Sequence, residues 1–183
     1  MYLILFMKKS KEIEIKLLFK NQKKIISMFG SSVKFQKRIN LHDTYYGPKN
    51  SDMSNKHSLV RIREEKNGKA ELTYKGKAKD KKNIWHRIEL NTDIGSPEVM
   101  KKILNKLGFE QISEYKNEKE YYNYQGLEIC FAKFTLPAKL TLMEIEGENE
   151  TKIRSLVVKL GDNVKEVGEE IFAVFDKARK KKK

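Results

Sequence analysis

The segment 11–16 alternates charged and apolar residues, and this alternation limits what the chain can fold into more than any other feature. Glu12, Glu14 and Lys16 stand two residues apart, with an isoleucine in each gap. Neighbouring side chains of a β-strand point to opposite faces, so a strand here puts all three charges on one face. Taken alone, the pattern also fits an ordinary half-buried strand with one face in water.

Charged pairs with the same two-residue spacing recur on four later strand-like segments. The pairs are Arg61 and Arg63, Lys75 and Lys77, Arg87 and Glu89, and Glu144 and Glu146. Their repetition indicates one shared charged surface. Apolar residues flank the charges, among them Leu59, Val60 and Ile62 in the third strand, and we expect these to point outward against helices. The lumen of the resulting barrel is then predicted to be charged and wet.

Strand and turn signals predict an α+β protein, mainly antiparallel β, built on a closed eight-stranded barrel with flanking helices. The predicted strands are 9–20, 34–46, 58–66, 69–78, 83–92, 113–125, 126–135 and 139–147. Helices are expected over 21–29, after the Ser96-Pro97 start signal, and on both sides of Gly161. Asn67-Gly68 predicts a type I′ hairpin turn between the third and fourth strands.

Length and cysteine content predict one cytoplasmic domain. The 183 residues suffice for a single core, which we place at 9–178, between an N-terminal extension at 1–8 and a basic, disordered tail at 179–183. The single cysteine, Cys130, excludes an intramolecular disulfide and fits a reducing compartment. The opening apolar run is too short to span a bilayer, so no membrane partner is expected. The sequence leaves two questions open. One is whether translation starts at Met1 or at Met7, and the other is the oligomeric state, for which a dimer is one possibility.

The formal net charge of +14 implies an anionic partner. Nucleic acid is possible, because a basic surface releases counterions from phosphates. It is not favoured, because part of the positive charge belongs to the terminal run Arg179–Lys183. The remaining charged pairs indicate an anion more compact than a nucleic-acid duplex. We expect a small anionic substrate held inside the barrel.

The residue types in the pairs point to phosphate chemistry with a metal ion. Arginine and lysine side chains bind phosphate oxygens. The glutamates would repel phosphate unless they hold a hard divalent cation, Mg²⁺ or Mn²⁺, that bridges to it. Nucleophilic attack on phosphorus requires cationic groups that neutralise the phosphoryl oxygens. It also requires a metal ion that activates water or the phosphate.

The ordered series of motifs resembles the CYTH superfamily, also called triphosphate tunnel metalloenzymes. It runs from Glu-x-Glu-x-Lys at 12–16 through Arg-x-Arg, Lys-x-Lys and Arg-x-Glu to the late Glu-x-Glu at 144–146, and covers roughly 9–176. The segment Asp43–Tyr46 also looks like the family's second strand. That family includes class IV adenylate cyclases, thiamine triphosphatases and inorganic tripolyphosphatases, and its fold is an eight-stranded antiparallel barrel with a charged tunnel.

The resemblance implies a role for each matching position. Metal binding falls to Glu12, Glu14, Glu144 and Glu146. Triphosphate binding falls to Lys16, Arg61, Arg63, Lys75, Arg87 and Lys119, and the two-residue spacing adds Lys77. Among the charged residues, we expect Lys16, Arg87 and Glu89 to take part in catalysis.

Two positions depart from the family pattern. Ala132 stands where the family usually has an aspartate before the final Glu-x-Glu, which removes one expected metal ligand; Glu128 on the same strand face is a candidate replacement. Asn117 stands two residues before Lys119, where the family tends to have a second basic residue. These departures raise two questions: whether catalysis is weaker than in the family, and whether the substrate differs.

The leading functional hypothesis is hydrolysis of an inorganic, nucleoside or thiamine triphosphate. One alternative is cyclization of ATP to cyclic AMP, as in class IV adenylate cyclases. Another is a non-catalytic binder of polyphosphate or RNA, which Ala132 favours. His42, His57 and His86 show no metal-binding spacing, although His42 is a candidate for the tunnel mouth. The tyrosines at 115–124 are interpreted as packing residues rather than a base-stacking platform.

Overall fold

A computed structural model describes residues 9–49, 58–169, 171 and 173–175 of the chain. The predictions for the extension 1–8, for His57 and for the tail 179–183 concern residues outside this described part. None of the described helices is long and apolar enough to cross a membrane.

Strands dominate the described part, and helices lie between and after them. The strands are β1 (Lys9–Phe19), β2 (Val33–Pro48), β3 (Leu59–Glu65), β4 (Ala70–Lys75), β5 (Lys79–Lys81), β6 (Ile84–Asp93), β7 (Phe109–Tyr124), β8 (Leu127–Leu136), β9 (Leu140–Glu146) and β10 (Val164–Glu166). The α-helices are α1 (Gln22–Phe29), α2 (Pro97–Lys106) and α3 (Glu150–Leu160).

Eight of these strands close into an antiparallel barrel. Hydrogen bonds connect them in the order β1-β9-β8-β7-β2-β3-β4-β6, and β6 pairs again with β1 to complete the ring. The short strands β5 and β10 pair with β6 and β1 outside this ring. The predicted fold class and the eight predicted strands are confirmed.

Side-chain caps explain where the helices begin. Asn21, Ser96 and Asn149 each accept a hydrogen bond from a backbone N–H in the first turn of α1, α2 and α3. The turn predicted at Asn67-Gly68 differs in type. Only Gly68 of the two has a positive φ, and Glu65 hydrogen-bonds across the turn to both Gly68 and Lys69. A type I′ turn needs positive φ at both central residues, so this prediction was wrong.

The outward face of the barrel carries the main core. Ile15, Leu17 and Ile145 are fully buried there against Ile25 of α1 and Ile153 of α3. Burying a side chain of this size stabilises the fold by about 1.5–3 kcal/mol. The predicted arrangement, with apolar residues outward and charges inward, is confirmed for β1 and for Met143 and Ile145 of β9. Leu142 of β9 was also expected to point outward, but it shares the inward side of Glu144 and Glu146.

One end of the lumen is apolar rather than wet. Tyr115, Phe134 and Leu142 belong to the inward-facing rows of their strands. Val167 and Phe175 pack against them from the C-terminal segment, which is described at residues 167–169, 171 and 173–175. Ala132, fully buried, is part of the same cluster. The C-terminal segment therefore covers one mouth of the barrel with apolar side chains, which strand alternation alone does not predict.

Candidate functional site

The inward faces of the strands enclose a cavity that is partly open to solvent. Basic side chains from five strands line this cavity. They are Lys16 of β1, Arg61 and Arg63 of β3, Lys75 of β4, Arg87 of β6 and Lys119 of β7. Its acidic lining residues are Glu12, Glu14, Asp43, Glu144 and Glu169. The structure thus brings together all the predicted phosphate-binding residues except Lys77.

Lys77 is exposed and lies beyond the end of β4, outside the set of residues that line the cavity. The reason is local: β4 ends at Lys75, and Gly76 then bonds to the Ile88 carbonyl, so strand alternation stops before position 77. Leu59 is the reverse case. It was expected to point outward, yet it lines the cavity with Arg61 and Arg63, because the three residues share one side of β3.

Strand register places the opposite charges side by side. Glu12 stands opposite Arg87 across the β1–β6 pair, and Lys16 stands opposite Glu144 across the β1–β9 pair. Oppositely charged cross-strand neighbours attract each other. The i and i+2 charges of each motif are therefore parts of one network rather than separate polar faces.

Ion pairs neutralise much of this network. Lys16 pairs with Glu14, and Lys75 pairs with Glu89. Lys119 Nζ lies 2.7 Å from Glu144 Oε2. Glu89 and Glu146, two of the predicted site residues, are not themselves lining residues. Glu89 contacts the lining residue Lys75, and Glu146 is the cross-strand neighbour of Glu14.

Asp43 is a member of the site that sequence reasoning did not assign a role. Its carboxylate accepts two hydrogen bonds from Arg63, at 2.7 and 2.8 Å. Burial opposes ionisation of Asp43, but Arg63 and then Arg61 outweigh it and lower the pKa of this carboxyl group. Local spacing in the sequence does not reveal this role, because it depends on the register that places Asp43 opposite Arg63 across the β2–β3 pair.

The ion pairs fix the charge states of two glutamates. Burial opposes the ionised form of Glu144, but Lys119 and Lys16 lower its pKa to about 2. Burial likewise opposes ionisation of Glu89, and Lys75 lowers its pKa to about 2. Both residues are therefore carboxylates at neutral pH.

Three glutamates lie side by side on neighbouring strands of the lumen. Glu146 of β9 stands opposite Glu14 of β1 on one side and opposite Glu128 of β8 on the other. Burial and then the charges of Glu12, Glu14 and Glu128 raise the pKa of Glu146 to about 8. Like charges placed directly opposite each other destabilise a sheet. At neutral pH the Glu146 carboxyl group in this wall of the tunnel is therefore mostly protonated, and a bound cation would take the place of this proton.

The chemistry of this wall fits a divalent cation, because Mg²⁺ and Mn²⁺ prefer oxygen ligands. One oxygen of Glu12, Oε2, is buried without a hydrogen-bond partner. As the side chains stand, no three His, Cys, Asp or Glu residues within the described ranges are arranged to hold an ion. Glu14 and Glu144 are turned toward Lys16 and Lys119 instead. Metal binding by the predicted ligands therefore requires that these ion pairs rearrange.

Several buried polar groups in the cavity lining have no hydrogen-bond partner. They are Arg61 Nε, Trp85 Nε1 and both amide atoms of Asn117. A buried donor without a partner costs about 1–3 kcal/mol of stability. Groups of this kind in one cavity indicate that a ligand supplies the missing hydrogen-bond partners. Nothing in the sequence pointed to Trp85 as a lining residue, whereas Asn117 was identified as a departure from the family pattern.

The other residues that the sequence offered as candidates for a functional role either lie outside the cavity or are buried in packing contacts. His42 Nε2 lies 2.5 Å from Glu114, and His86 Nε2 lies 3.4 Å from Glu150; neither histidine lines the cavity. Cys130 is buried, and burial raises the pKa of its thiol to about 12. Tyr115, Tyr122 and Tyr124 pack against phenylalanine rings, as the packing interpretation predicts.

A family model of the CYTH domain matches residues 10–182, and the chain belongs to the CYTH domain family. The family that the ordered motifs resemble is thereby confirmed. The chain is 30% identical over 118 residues to a protein of Methanocaldococcus jannaschii whose name provisionally assigns it to the adenylate cyclases. The alignment covers 64% of this chain and 66% of that relative, slightly less than two thirds of its length.

Solved structures share the fold at lower identity. The protein PH1819 of Pyrococcus horikoshii matches with a TM-score of 0.69 and 24% identity, over 91% of this chain and 98% of that one. A Hippeastrum protein, provisionally called an adenylyl cyclase and described as having a dominant triphosphatase activity, matches with a TM-score of 0.70 and 20% identity. That match covers 91% of this chain and 95% of the Hippeastrum chain. At these identities the similarity establishes the fold.

Proposed function

We propose that the tunnel binds a small triphosphate substrate and that the protein hydrolyses it with the help of Mg²⁺ or Mn²⁺. The observation that carries this proposal is the convergence of six basic side chains from five strands on one cavity inside the barrel. Strands on all sides of the lumen contribute, so an elongated anion can be contacted from several directions. A flat basic surface for nucleic acid would place such residues on the outside.

The basic residues divide into those already held by protein carboxylates and those that still offer a donor. Arg63 is held in two hydrogen bonds by Asp43. Arg61 donates to Glu71 and Thr73 through one terminal nitrogen, whereas its buried Nε has no acceptor. Phosphate oxygens accept strong hydrogen bonds from guanidinium groups. Arg61 is therefore the residue best prepared to receive a phosphate group.

Lys16, Arg87 and Glu89 are the residues proposed to act at the reacting phosphorus. Lys16 and Arg87 line the cavity on the adjoining strands β1 and β6 and would neutralise charge on the terminal phosphoryl oxygens. Glu89 holds Lys75 in place through their ion pair. Water then forms the new bond to the terminal phosphorus as the bond from that phosphorus to the bridging oxygen breaks. The rest of the substrate leaves with the bridging oxygen, the water loses its proton to solvent, and inorganic phosphate is released.

Glu12, Glu14, Glu144 and Glu146 are the proposed metal ligands, on the neighbouring strands β1 and β9. A bound divalent cation would neutralise phosphate charge and lower the pKa of water. Ala132 contributes only a buried methyl group at the position where the sequence suggested an acid. Glu128, the cross-strand neighbour of Glu146, is the acidic residue of β8 that stands beside this proposed ligand set.

Cyclization of ATP is a second candidate, supported by the relative whose name provisionally assigns it to the adenylate cyclases. Hydrolysis is favoured because the tunnel supplies the phosphate contacts that both reactions need, and hydrolysis requires only water as the nucleophile. A protein that binds polyphosphate or RNA without turnover is the alternative outside the enzymes.

A substrate panel tests these proposals. The protein is incubated with tripolyphosphate, ATP or thiamine triphosphate, with Mg²⁺ or Mn²⁺, and the products are separated. We expect phosphate release that requires a metal and falls at least a hundredfold in Glu12→Gln. Cyclic AMP from ATP would instead establish the cyclase, and tight binding without turnover under either metal would establish the binder.

A further inference from the structure

A second basic region lies outside the barrel, around the start of α1 and along the first half of β2. Residues 20–38 include six basic side chains and no acidic one, and all six are exposed. These six are Lys20, Lys23, Lys24, Lys34, Lys37 and Arg38. None of them lines the tunnel cavity. The surface formed by the exposed residues of 20–38, which we call the β2 patch, is therefore separate from the site proposed for the triphosphate.

The carboxylate of Glu120 joins the helical part of the β2 patch to its strand part. Gln22 Nε2 of α1 and Arg38 Nη2 of β2 each donate a hydrogen bond of 2.6 Å to this carboxylate. Tyr122 of β7 donates a third at 3.0 Å. Only 8% of the Glu120 side chain is exposed, so it holds the patch together while presenting little negative charge to solvent. The exposed Lys23, which follows Gln22 in the chain, is thereby placed near Arg38.

An aromatic ring stands exposed among these charges. Phe35 is 57% exposed, and it is the only exposed large hydrophobic residue within 20–38, all of which the structure describes. The ring of Tyr122 meets it edge-to-face, with centroids 5.4 Å apart and planes at 71°. This contact orients the Phe35 ring and leaves more than half of the side chain free. A register shift between Phe35 and Lys37 also leaves Gln36 as an extra, exposed residue of β2.

Cations lie on two sides of this ring. Lys23 and Arg38 are on the outer surface with Phe35. Lys34 and Lys37 belong to the inward-facing row of β2 and are exposed at the end of the barrel where β2 begins. The C-terminal segment covers the opposite end, where β2 finishes. An extended polyanion that crosses the rim beside Phe35 would therefore meet positive charge along its whole course.

We propose that the β2 patch binds single-stranded nucleic acid, with a base stacked on Phe35 and the phosphate backbone along the neighbouring cations. Surfaces that bind single strands combine a positively charged track with aromatic side chains on which bases stack. In a duplex the bases stack on one another and offer no face to such a ring. A membrane fits less well, because a single exposed ring buries little apolar area among lipids. The inference goes beyond the proposed function, since it concerns a polymer on the outside of the barrel.

The charge requirement is tested by fluorescence anisotropy with an RNA of about 12 nucleotides, which is within the site sizes of single-strand binders. The RNA carries its dye at the 3′ end and a 5′-hydroxyl group, so it offers the tunnel no triphosphate. One full-length variant combines Lys23→Gln with Lys34→Gln in the patch. The matched control combines Lys102→Gln with Lys106→Gln, two exposed lysines of α2, and lowers the net charge equally.

We expect the patch variant to weaken RNA binding at least fivefold at about 0.05 M salt, and the α2 variant to change it less than twofold. Two lost phosphate contacts should also make the slope of log affinity against log salt shallower by about 1.4. Equal losses in the two variants would overturn the proposal, because general positive charge would then bind the RNA. Displacement of the RNA by tripolyphosphate would overturn it as well, since it would place the RNA in the tunnel.

The stacking requirement is tested with Phe35→Leu, which keeps an apolar side chain but removes the ring face. It should weaken RNA binding at least fivefold, whereas Phe35→Trp should bind at least as tightly as the unsubstituted protein. Tyr74→Leu, which changes an exposed aromatic residue of β4, is the matched control and should change the affinity less than twofold. Unchanged affinity in Phe35→Leu would overturn the role of the ring. Binding to phosphatidylserine vesicles without binding to RNA would overturn the nucleic-acid assignment in favour of a membrane.

Discussion

The two faces of β1 show how one strand can serve two different purposes. Ile13, Ile15 and Leu17 point outward into a dry core under α1 and α3, while Glu12, Glu14 and Lys16 point inward to line the cavity. In an ordinary barrel the lumen holds the apolar side chains. Here helices supply the outer apolar layer, which leaves the lumen free for charged residues.

The two faces also differ in what they contribute to stability. The outward face gains free energy from burial of apolar surface. The inward face takes charged groups out of water, and the desolvation cost of a buried ion pair can equal or exceed its attraction. We therefore expect substitutions on the outward face to change stability chiefly, and substitutions on the inward face to change ligand binding.

The largest stability effect is expected on the outward face. Ile145→Ala removes a fully buried side chain between the barrel and the helices and should lower the free energy of unfolding by about 2–5 kcal/mol, measured by urea denaturation. Val158, which is exposed, provides the control, because Val158→Ala should change the free energy of unfolding by less than about 0.5 kcal/mol. Below the unfolding transition, tripolyphosphate affinity should stay within twofold. A loss of affinity without a loss of stability would contradict the division between the faces.

The Asp43–Arg63 pair provides a substitution in which stability and binding move in opposite directions. Asp43→Asn removes the charge that holds Arg63 in two hydrogen bonds and should cost about 1–3 kcal/mol of stability. The guanidinium group is then available to a phosphate, so tripolyphosphate affinity should rise severalfold in calorimetry. A parallel fall in both quantities would show that Asp43 serves the ligand directly rather than competing with it.

Glu146 predicts a pH dependence specific to the acidic wall of the lumen. Its folded-state pKa of about 8 lies above an unfolded value of about 4.3. The folded state therefore binds the extra proton, and this residue makes stability fall as the pH rises from about 5 to about 8. Thermal unfolding of the metal-free protein, compared with Glu146→Gln, should show a flatter profile in the variant. Identical profiles of stability against pH in the two proteins would show that Glu146 does not cause the pH dependence.

The alternation of charge and apolar residues was enough to predict the barrel, the outward core and most of the cavity lining. Those features depend on strand periodicity, which a sequence shows directly. Lys77 was misplaced because alternation does not reveal where β4 ends. Leu59 was misplaced because its apolar character was given more weight than alternation, which puts it on the side of Arg61 and Arg63. The positions of Asp43, Trp85 and Glu169 in the lining depend on register between strands and on how the C-terminal segment crosses the mouth, and neither follows from local spacing.

The comparison of Lys75 and Lys77 tests the central claim most directly, because it holds residue type and position along the chain nearly constant. Lys75 lines the cavity, whereas Lys77 is exposed outside it. Tripolyphosphate binding is measured by calorimetry with Mg²⁺ at about 0.15 M salt, where exposed charges are largely screened beyond about 8 Å. We predict that Lys75→Met weakens binding at least tenfold and that Lys77→Met changes it less than twofold. Equal losses in the two variants would mean that the general positive charge of the surface binds the anion, and would contradict a site inside the barrel.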